Sequence, residues 1–369
     1  MAPDGPGGTD RPDSPGGLKA PAHGGNLSEA VRRFGRPREQ WLDLSTGINP
    51  HPYPVAAAAL APDAWHRLPD AAAGTALAEA ARTYYNAPQL LAVAGTQAAI
   101  QALPQCRLQS AGRAHVVIAG PTYAEHAHRW AKSGHRIAAC GTAREDIDRA
   151  AASPAVDVIV ICNPNNPSGA LFEPAQLLEW HALLAERGGW LVVDEAFGDT
   201  VPQASVAAFA ERAGLIVLKS VGKFFGLAGL RLGFIAADRA LLALLADMIG
   251  PWSVSGPAQQ IGRAAFEDSL WQQDTRRALA AEGARLGQLL RDRGIENHGT
   301  ALFRWSPLPA RQAEALWLHL ARNGIWARLF DGDGISSATG LRLGLPGDES
   351  GWQRLDDALA AWRGREVAP

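Results

Sequence analysis

The chain has 369 residues, 47% of them apolar, and a formal net charge of −2. That length allows two domains and a substantial buried core. The near-neutral balance, with no dominant basic patch, argues against nucleic acid as a partner, and the longest apolar runs are too short to cross a bilayer.

Residues 1–22 are rich in Gly, Pro, Asp and Ser and are expected to be disordered, with no basic-then-apolar leader. Cys106, Cys140 and Cys162 are scattered without metal-ligand spacing and read as buried thiols of a cytoplasmic protein. An N-terminal arm over 23–45 opens with His23-Gly24-Gly25-Asn26. A large domain is expected over 46–268. In it, strands over 90–93, 115–119, 156–162, 190–194 and 215–218 alternate with helices opening at Gly95 and over 122–133, 174–187 and 205–212. Continuous apolar strands between helices define an α/β class with a mostly parallel sheet covered on both faces. Beyond Pro251 the pattern changes. A helix over 272–293, strands over 301–305, 325–329 and 341–345, and a helix over 312–322 form a smaller α+β domain over 269–369.

Open α/β sheets bind ligands at the carboxyl ends of their strands, and four features fall there. Gly95-Thr96-Gln97 turns a strand into a helix, where free N–H groups favour a phosphate; the ordinary alternative is a helix cap by Thr96. Asn166, in Asn163-Pro164-Asn165-Asn166-Pro167, offers a donor to a phenolate oxygen, or is one more turn asparagine. Asp194 ends a strand, suited to holding a pyridine nitrogen protonated, or caps the next element. Tyr123 offers a face for a flat ligand, or belongs to the core. Downstream, Lys223 sits in a glycine-rich stretch between Ser220 and Arg231: an amine for an aldehyde, with a hydroxyl and a cation for a phosphate. The spacing excludes a P-loop, because Val217 and Phe224 stand where Gly and Ser/Thr are required. Arg342 stands where the bidentate Glu of an EF-hand loop starting at Asp331 would be, which excludes that loop.

In this order, the features resemble the fold-type I pyridoxal-phosphate enzymes, the aspartate-aminotransferase-like group, over roughly residues 23–369. The resemblance implies Lys223 as the Schiff-base lysine and Asp194 as partner of the pyridine nitrogen of pyridoxal 5′-phosphate. It implies Asn166 on the ring oxygen, Tyr123 stacked on the ring, and Gly95, Thr96, Gln97, Ser220 and Arg231 around the cofactor phosphate. Arg342, in Leu341-Arg342-Leu343-Gly344, matches the arginine that takes a substrate carboxylate, and a homodimer is implied.

Two branches of the group come closest: histidinol-phosphate aminotransferases and the threonine-phosphate decarboxylases of cobalamin (vitamin B12) synthesis. His23 to Asn26, the run Leu42 to Pro50, Pro251-Trp252-Ser253-Val254, and Phe197 in place of a tyrosine resemble the second. That resemblance implies decarboxylation of L-threonine O-3-phosphate to (R)-1-amino-2-propanol O-2-phosphate. The alternative is a histidinol-phosphate-type aminotransferase, which differs in the Cα bond set perpendicular to the ring. A non-catalytic ligand sensor is a third reading, opposed by the lack of a helix-turn-helix segment. The substrate phosphate needs a second anion site, for which Arg328 and His23 are the candidates, followed by Asn26 and Ser45. One departure stands out. Leu68 replaces the tyrosine that reaches the cofactor phosphate of the partner subunit, with Tyr53 a possible substitute.

Overall fold

The structure is a computed structural model and describes residues 21, 23–57, 60–332 and 338–362. The expected disorder of 1–22 therefore lies almost wholly outside the described residues. In chain order the helices are α1 (Leu27–Phe34), α2 (Ala71–Tyr85), α3 (Thr96–Ala111), α4 (Glu125–Lys132), α5 (Arg144–Ala152), α6 (Pro174–Ala185), α7 (Arg239–Ile249), α8 (Gly256–Glu267), α9 (Ser269–Asp292), α10 (Ala310–Arg322) and α11 (Glu349–Ala360). The strands are β1 (Leu42–Asp43), β2 (Leu91–Val93), β3 (His115–Ala119), β4 (Arg136–Cys140), β5 (Val158–Cys162), β6 (Trp190–Asp194), β7 (Leu215–Ser220), β8 (Gly233–Ala236), β9 (His298–Gly299), β10 (Phe303–Pro307), β11 (Ile325–Trp326), β12 (Arg328–Asp331) and β13 (Thr339–Gly344).

Among the described residues, seven strands form one sheet in the order β2-β8-β7-β6-β5-β3-β4. β4, β3, β5, β6 and β7 pair in parallel, while β8 runs antiparallel to both of its neighbours. β5 and β6 are buried along their whole length, as central strands covered on both faces must be. Their side chains alternate between two cores. Val158, Val160, Val192, Ile216 and Leu218 pack with Leu103 of α3, Trp130 of α4 and Leu245 of α7. Ile159, Ile161, Leu191, Val193, Leu215 and Val217 pack with Leu77 of α2, Ile147 of α5 and Leu177 of α6.

The same alternation sorts the polar residues at the strand ends. Asp194 and Ser220 continue the first face, and Lys219 the second. Lys219 is buried there, its ammonium hydrogen-bonded to the buried Glu195 carboxylate and, at 2.9 Å, to Ser205 Oγ. Glu195 also accepts from the Val206 N–H at 2.9 Å. This buried pair explains a difference from the sequence reading. Residues 205–212, expected to be helical, form only a short 3₁₀ turn over Ala207–Phe209, because Ser205 and Val206 are drawn onto the ion pair.

α9 leads into a four-stranded antiparallel sheet, β12-β13-β10-β9, backed by α10. The strand expected over 325–329 is two strands. β11 pairs in parallel with β1 of the N-terminal segment, and β12 pairs with β13. The segment before the large sheet is thus fastened to the C-terminal layer, where Phe34 of α1 packs edge-on against Trp317 and Trp326. No described helix is long and apolar enough to cross a membrane.

Candidate active site

A cavity of ≈ 790 Å³ opens at the carboxyl ends of β5, β6 and β7 and is closed on its far side by β12 and β13. Of the catalytic, cofactor-binding and substrate-binding candidates named from the sequence, all but Asn26 line it. Asn26 is exposed and caps α1, accepting from the Glu29 N–H at 3.2 Å.

One end of the cavity is an anion cradle. α3 begins at Gly95, which has φ +74° and no side chain to cap the helix, so the first N–H groups face the cavity. A Cβ on Gly95 would stand 2.6 Å from Arg231 Nη2, and one on Gly233 would stand 2.8 Å from the Thr96 N. Only glycines let the guanidinium and β8 approach the helix start this closely. Arg231 itself takes the left-handed conformation (φ 54°), and Ser220 Oγ accepts from the Gly222 N–H at 3.3 Å beside it. The Gln97 amide is engaged elsewhere, donating to Glu125 Oε2 at 2.7 Å and accepting from Tyr123 O–H at 3.4 Å. Its backbone remains as its contribution to the cradle. Burial, then Glu125 and Asp194, push the Tyr123 phenol up to about 12, so it stays protonated.

In the middle lies a buried acid. Asp194 Oδ2 is 2.9 Å from His126 Nε2, and Oδ1 accepts from the Ala196 N–H at 3.0 Å. Burial alone would lower the His126 imidazole, but hydrogen bonds to Asp194 and Cys162 outweigh it and hold the ring up at about 10. The imidazolium form of His126 is thus favoured, and its Nε2 contact fixes the Asp194 carboxylate in place. His126, Cys162 and Asp194 offer ligand atoms within 4.8 Å of one another, but His126 Nε2 is already committed to Asp194 Oδ2 at 2.9 Å.

Opposite stands Lys223. Its ammonium donates to the Thr46 carbonyl at 3.3 Å and sits 5.4 Å above the Phe197 ring. Burial, then Arg342, lower its amine to about 8, against the pull of Asp194. A free amine is thus available near neutral pH. Phe197 packs on Phe303 and brings no hydroxyl.

The far wall carries two arginines. Arg342 donates to Asn166 Oδ1 and to the Ser45 carbonyl, each at 2.5 Å, and its Nε is buried without a partner. Burial, then Arg328, lower this guanidinium to about 9. Arg328 is the directly paired residue on β12, with its guanidinium 5.4 Å from the Phe330 ring. His23, from the arm, reaches Glu125 Oε1 at 3.0 Å. The Ser45 hydroxyl donates to Asp43 Oδ1 at 2.6 Å and accepts from the Gly25 N–H at 2.7 Å.

Leu68 is exposed, and Tyr53 is buried against Trp271, outside the cavity. His126 and Glu125 were not singled out from the sequence. The only signal for them is their place in the turn after Tyr123, where His126 falls three residues on.

A phosphorylated pyridine aldehyde fits this arrangement: an uncapped helix start and Arg231 for its phosphate, a fixed acid for its nitrogen, and a free amine for its aldehyde. Comparison with known proteins points the same way. The model of the aminotransferase class I and II family matches residues 39–358, and the chain belongs to that family. Within it, the chain resembles proteins named threonine-phosphate decarboxylase over nearly its whole length. It is 48% identical to one from Pseudomonas aeruginosa, covering 92% of this chain and 98% of the relative. It is 45% identical to one from a Sinorhizobium species, covering 92% and 97%. In fold it resembles the Sinorhizobium meliloti histidinol-phosphate aminotransferase solved with pyridoxal-5′-phosphate, with a TM-score of 0.78 at 19% identity over 90% of this chain and 92% of that one.

Proposed function

We propose that the protein is a pyridoxal-phosphate-dependent carboxy-lyase that converts L-threonine O-3-phosphate to (R)-1-amino-2-propanol O-2-phosphate, a step of cobalamin synthesis. The observation that carries the reading is the pair Arg328 and Arg342 on one wall, facing an amine, because this substrate carries two anionic groups beside its amino group. Similarity to the named decarboxylases supports it.

Bound pyridoxal phosphate supplies the electron sink for the pair of electrons left on Cα when the carboxylate departs as CO2. The chain does the rest. Arg342, held by Asn166 and the Ser45 carbonyl, takes the carboxylate and sets its direction. Arg328 and His23 take the substrate phosphate. Asp194, fixed by His126, would hold the cofactor's ring nitrogen in its protonated form. Lys223, the nearest amine, delivers a proton to Cα on the face it occupies. Phe197 and Phe303 keep water from that side.

The working form is a homodimer in the cytoplasm. Trp65 and Trp252 are 71% and 61% exposed around the place where Ala64 packs on Gly256, and Leu68 lies beside them in the chain, an apolar surface suited to a second copy. Light scattering measures that state. The deciding assay incubates the purified holoprotein with threonine phosphate and follows CO2. Release of CO2 is expected. Transamination of histidinol phosphate by glutamate without CO2 release would replace this reading.

A further inference from the structure

Glu125 opens α4 and is 5% exposed, although it is one of the chain's least sequence-conspicuous acids. Its carboxylate accepts three hydrogen bonds from three parts of the fold: Gln97 Nε2 on the first turn of α3 at 2.7 Å, Arg129 Nε one turn along α4 at 2.9 Å, and His23 Nε2 on the arm at 3.0 Å. An acid that only stabilised α4 would need Arg129 alone, and such a pair forms equally well on an exposed face. Burial against Gln97 and His23 is the feature that helix stability does not require.

The arm is held at a second point. The Gly25 N–H donates to Ser45 Oγ at 2.7 Å, and a Cβ on Gly24 would stand 2.4 Å from the Ser45 carbonyl oxygen. That carbonyl accepts from Arg342. His23 also lies 5.8 Å from the Tyr123 ring, and Tyr123 bonds Gln97. The arm thus rests on Ser45 at one edge of the cavity and on Glu125 at the other, while the His23 side chain remains 45% exposed on its outer side.

We propose that Glu125 is a positioning residue: through His23 it latches the N-terminal arm across the cavity, and through Gln97 it ties the arm to the anion cradle at the start of α3. With Nε2–H donated to Glu125, His23 has one remaining nitrogen, Nδ1, which donates to an anionic group of the substrate when the ring is in its imidazolium form. The substrate part of this inference rests on the function proposed above; the latch itself does not.

The test uses the full-length holoenzyme and four variants, Glu125→Ala, Glu125→Gln, His23→Ala and the double variant Glu125→Ala/His23→Ala. Hydrogen exchange over residues 23–34 reads the latch without reference to any reaction. Exchange there is expected to rise at least about tenfold in Glu125→Ala and His23→Ala, with protection of β5 and β6 unchanged. In the decarboxylase assay, each of these two is expected to raise KM for threonine phosphate by about tenfold with a smaller change in kcat. In arm exchange, Glu125→Ala/His23→Ala is expected to be no worse than either single variant, because both break the Glu125–His23 contact that holds the arm. Glu125→Gln, which keeps an acceptor for one partner, should fall between wild type and Glu125→Ala and serves where the alanine variant folds poorly. Unchanged arm exchange in both Glu125 variants, or exchange effects that multiply in the double variant, overturns the latch. Faster arm exchange in a protein that releases no CO2 upholds the latch and removes only the proposed reaction.

Discussion

Arg328 and Arg342 are directly paired across the β12–β13 ladder, so two guanidiniums stand side by side on one wall of the cavity. Like charges at such positions repel, and Arg342 is in addition buried. Burial first and Arg328 second lower Arg342, with Asp43 offsetting part of the effect, and Asp331 and Glu29 likewise offset Arg328. A ligand with two anionic groups relieves this arrangement better than one with a single carboxylate. Arg328→Ala is therefore expected to raise KM for threonine phosphate by about 30-fold, the loss of ~2 kcal/mol in a charge-assisted contact, while leaving KM for a substrate without phosphate within about threefold. Steady-state kinetics with both compounds measures the ratio, and an equal loss for both would remove Arg328 from the phosphate site.

The contact of His126 with Asp194 predicts a separable effect on the cofactor. Asp194→Asn removes the charge that faces the ring nitrogen and should lower kcat by about 10²–10³-fold, as for other preorganised electrostatic groups. His126→Asn keeps the acid but leaves it less firmly held, and about a tenfold loss is expected. Because the imidazole is held up at about 10, the His126 ring nitrogens should show imidazolium chemical shifts from pH 6 to pH 9 in a ¹⁵N spectrum. A neutral ring at pH 8 would contradict the arrangement.

Lys223 ties activity and stability to alkaline pH. Its amine titrates at about 8 in the folded apoprotein, against 10.5 when unperturbed, with burial as the main cause. Between those values the folded state binds fewer protons than the unfolded state, so this group makes the apoprotein more stable as pH rises through the window. Urea unfolding of the apoprotein should show that gain from pH 8 to pH 10.5 relative to Lys223→Met, which lacks the amine. Covalent capture of pyridoxal phosphate should speed up by nearly tenfold per unit below pH 8 and level off above it. Capture by Lys223→Met that survives borohydride reduction would assign the role to another lysine.

At Gly95, φ +74° and the 2.6 Å approach of Arg231 Nη2 leave no room for a methyl group. Gly95→Ala is expected to weaken cofactor binding by about tenfold through strain of ~1–2 kcal/mol and displacement of the guanidinium. Titration of the apoprotein followed by the cofactor's absorbance gives the constant. An unchanged Kd would place the cofactor phosphate away from the start of α3.

The sequence was legible where local chemistry and strand position coincide. β3 and β6 fall at their expected residues because their apolar runs end abruptly, β3 at Gly120-Pro121 and β6 at Asp194-Glu195. Asp194, Asn166 and Lys223 could be selected because each follows such a run. α2 and α7 went unmarked: each is rich in Ala or Leu, and its face is defined only by what packs on it. β4, with exposed and half-buried positions at the edge of the sheet, lacks the apolar continuity of its neighbours. Glu125 and His126 escaped notice because charged residues on a short polar helix read as a solvated face. That Arg328 and Arg342 are neighbours depends on strand register, which no spacing in the sequence discloses.

The pleat of β6 and β7 also limits how this family can change. Asp194 serves the cavity while the next residue, Glu195, forms an ion pair with Lys219, and Lys219 precedes a serine that faces the cavity again. A single-residue insertion or deletion inside either strand would reverse that phase, burying an ammonium where the cofactor phosphate belongs or removing the acid from the ring. Both strands can therefore accept volume-conserving apolar substitutions along their buried stretches, whereas their lengths can change only in steps of two. Loops such as the one after Tyr53 carry no such parity rule, and that is where inserted residues are expected to be found in related chains.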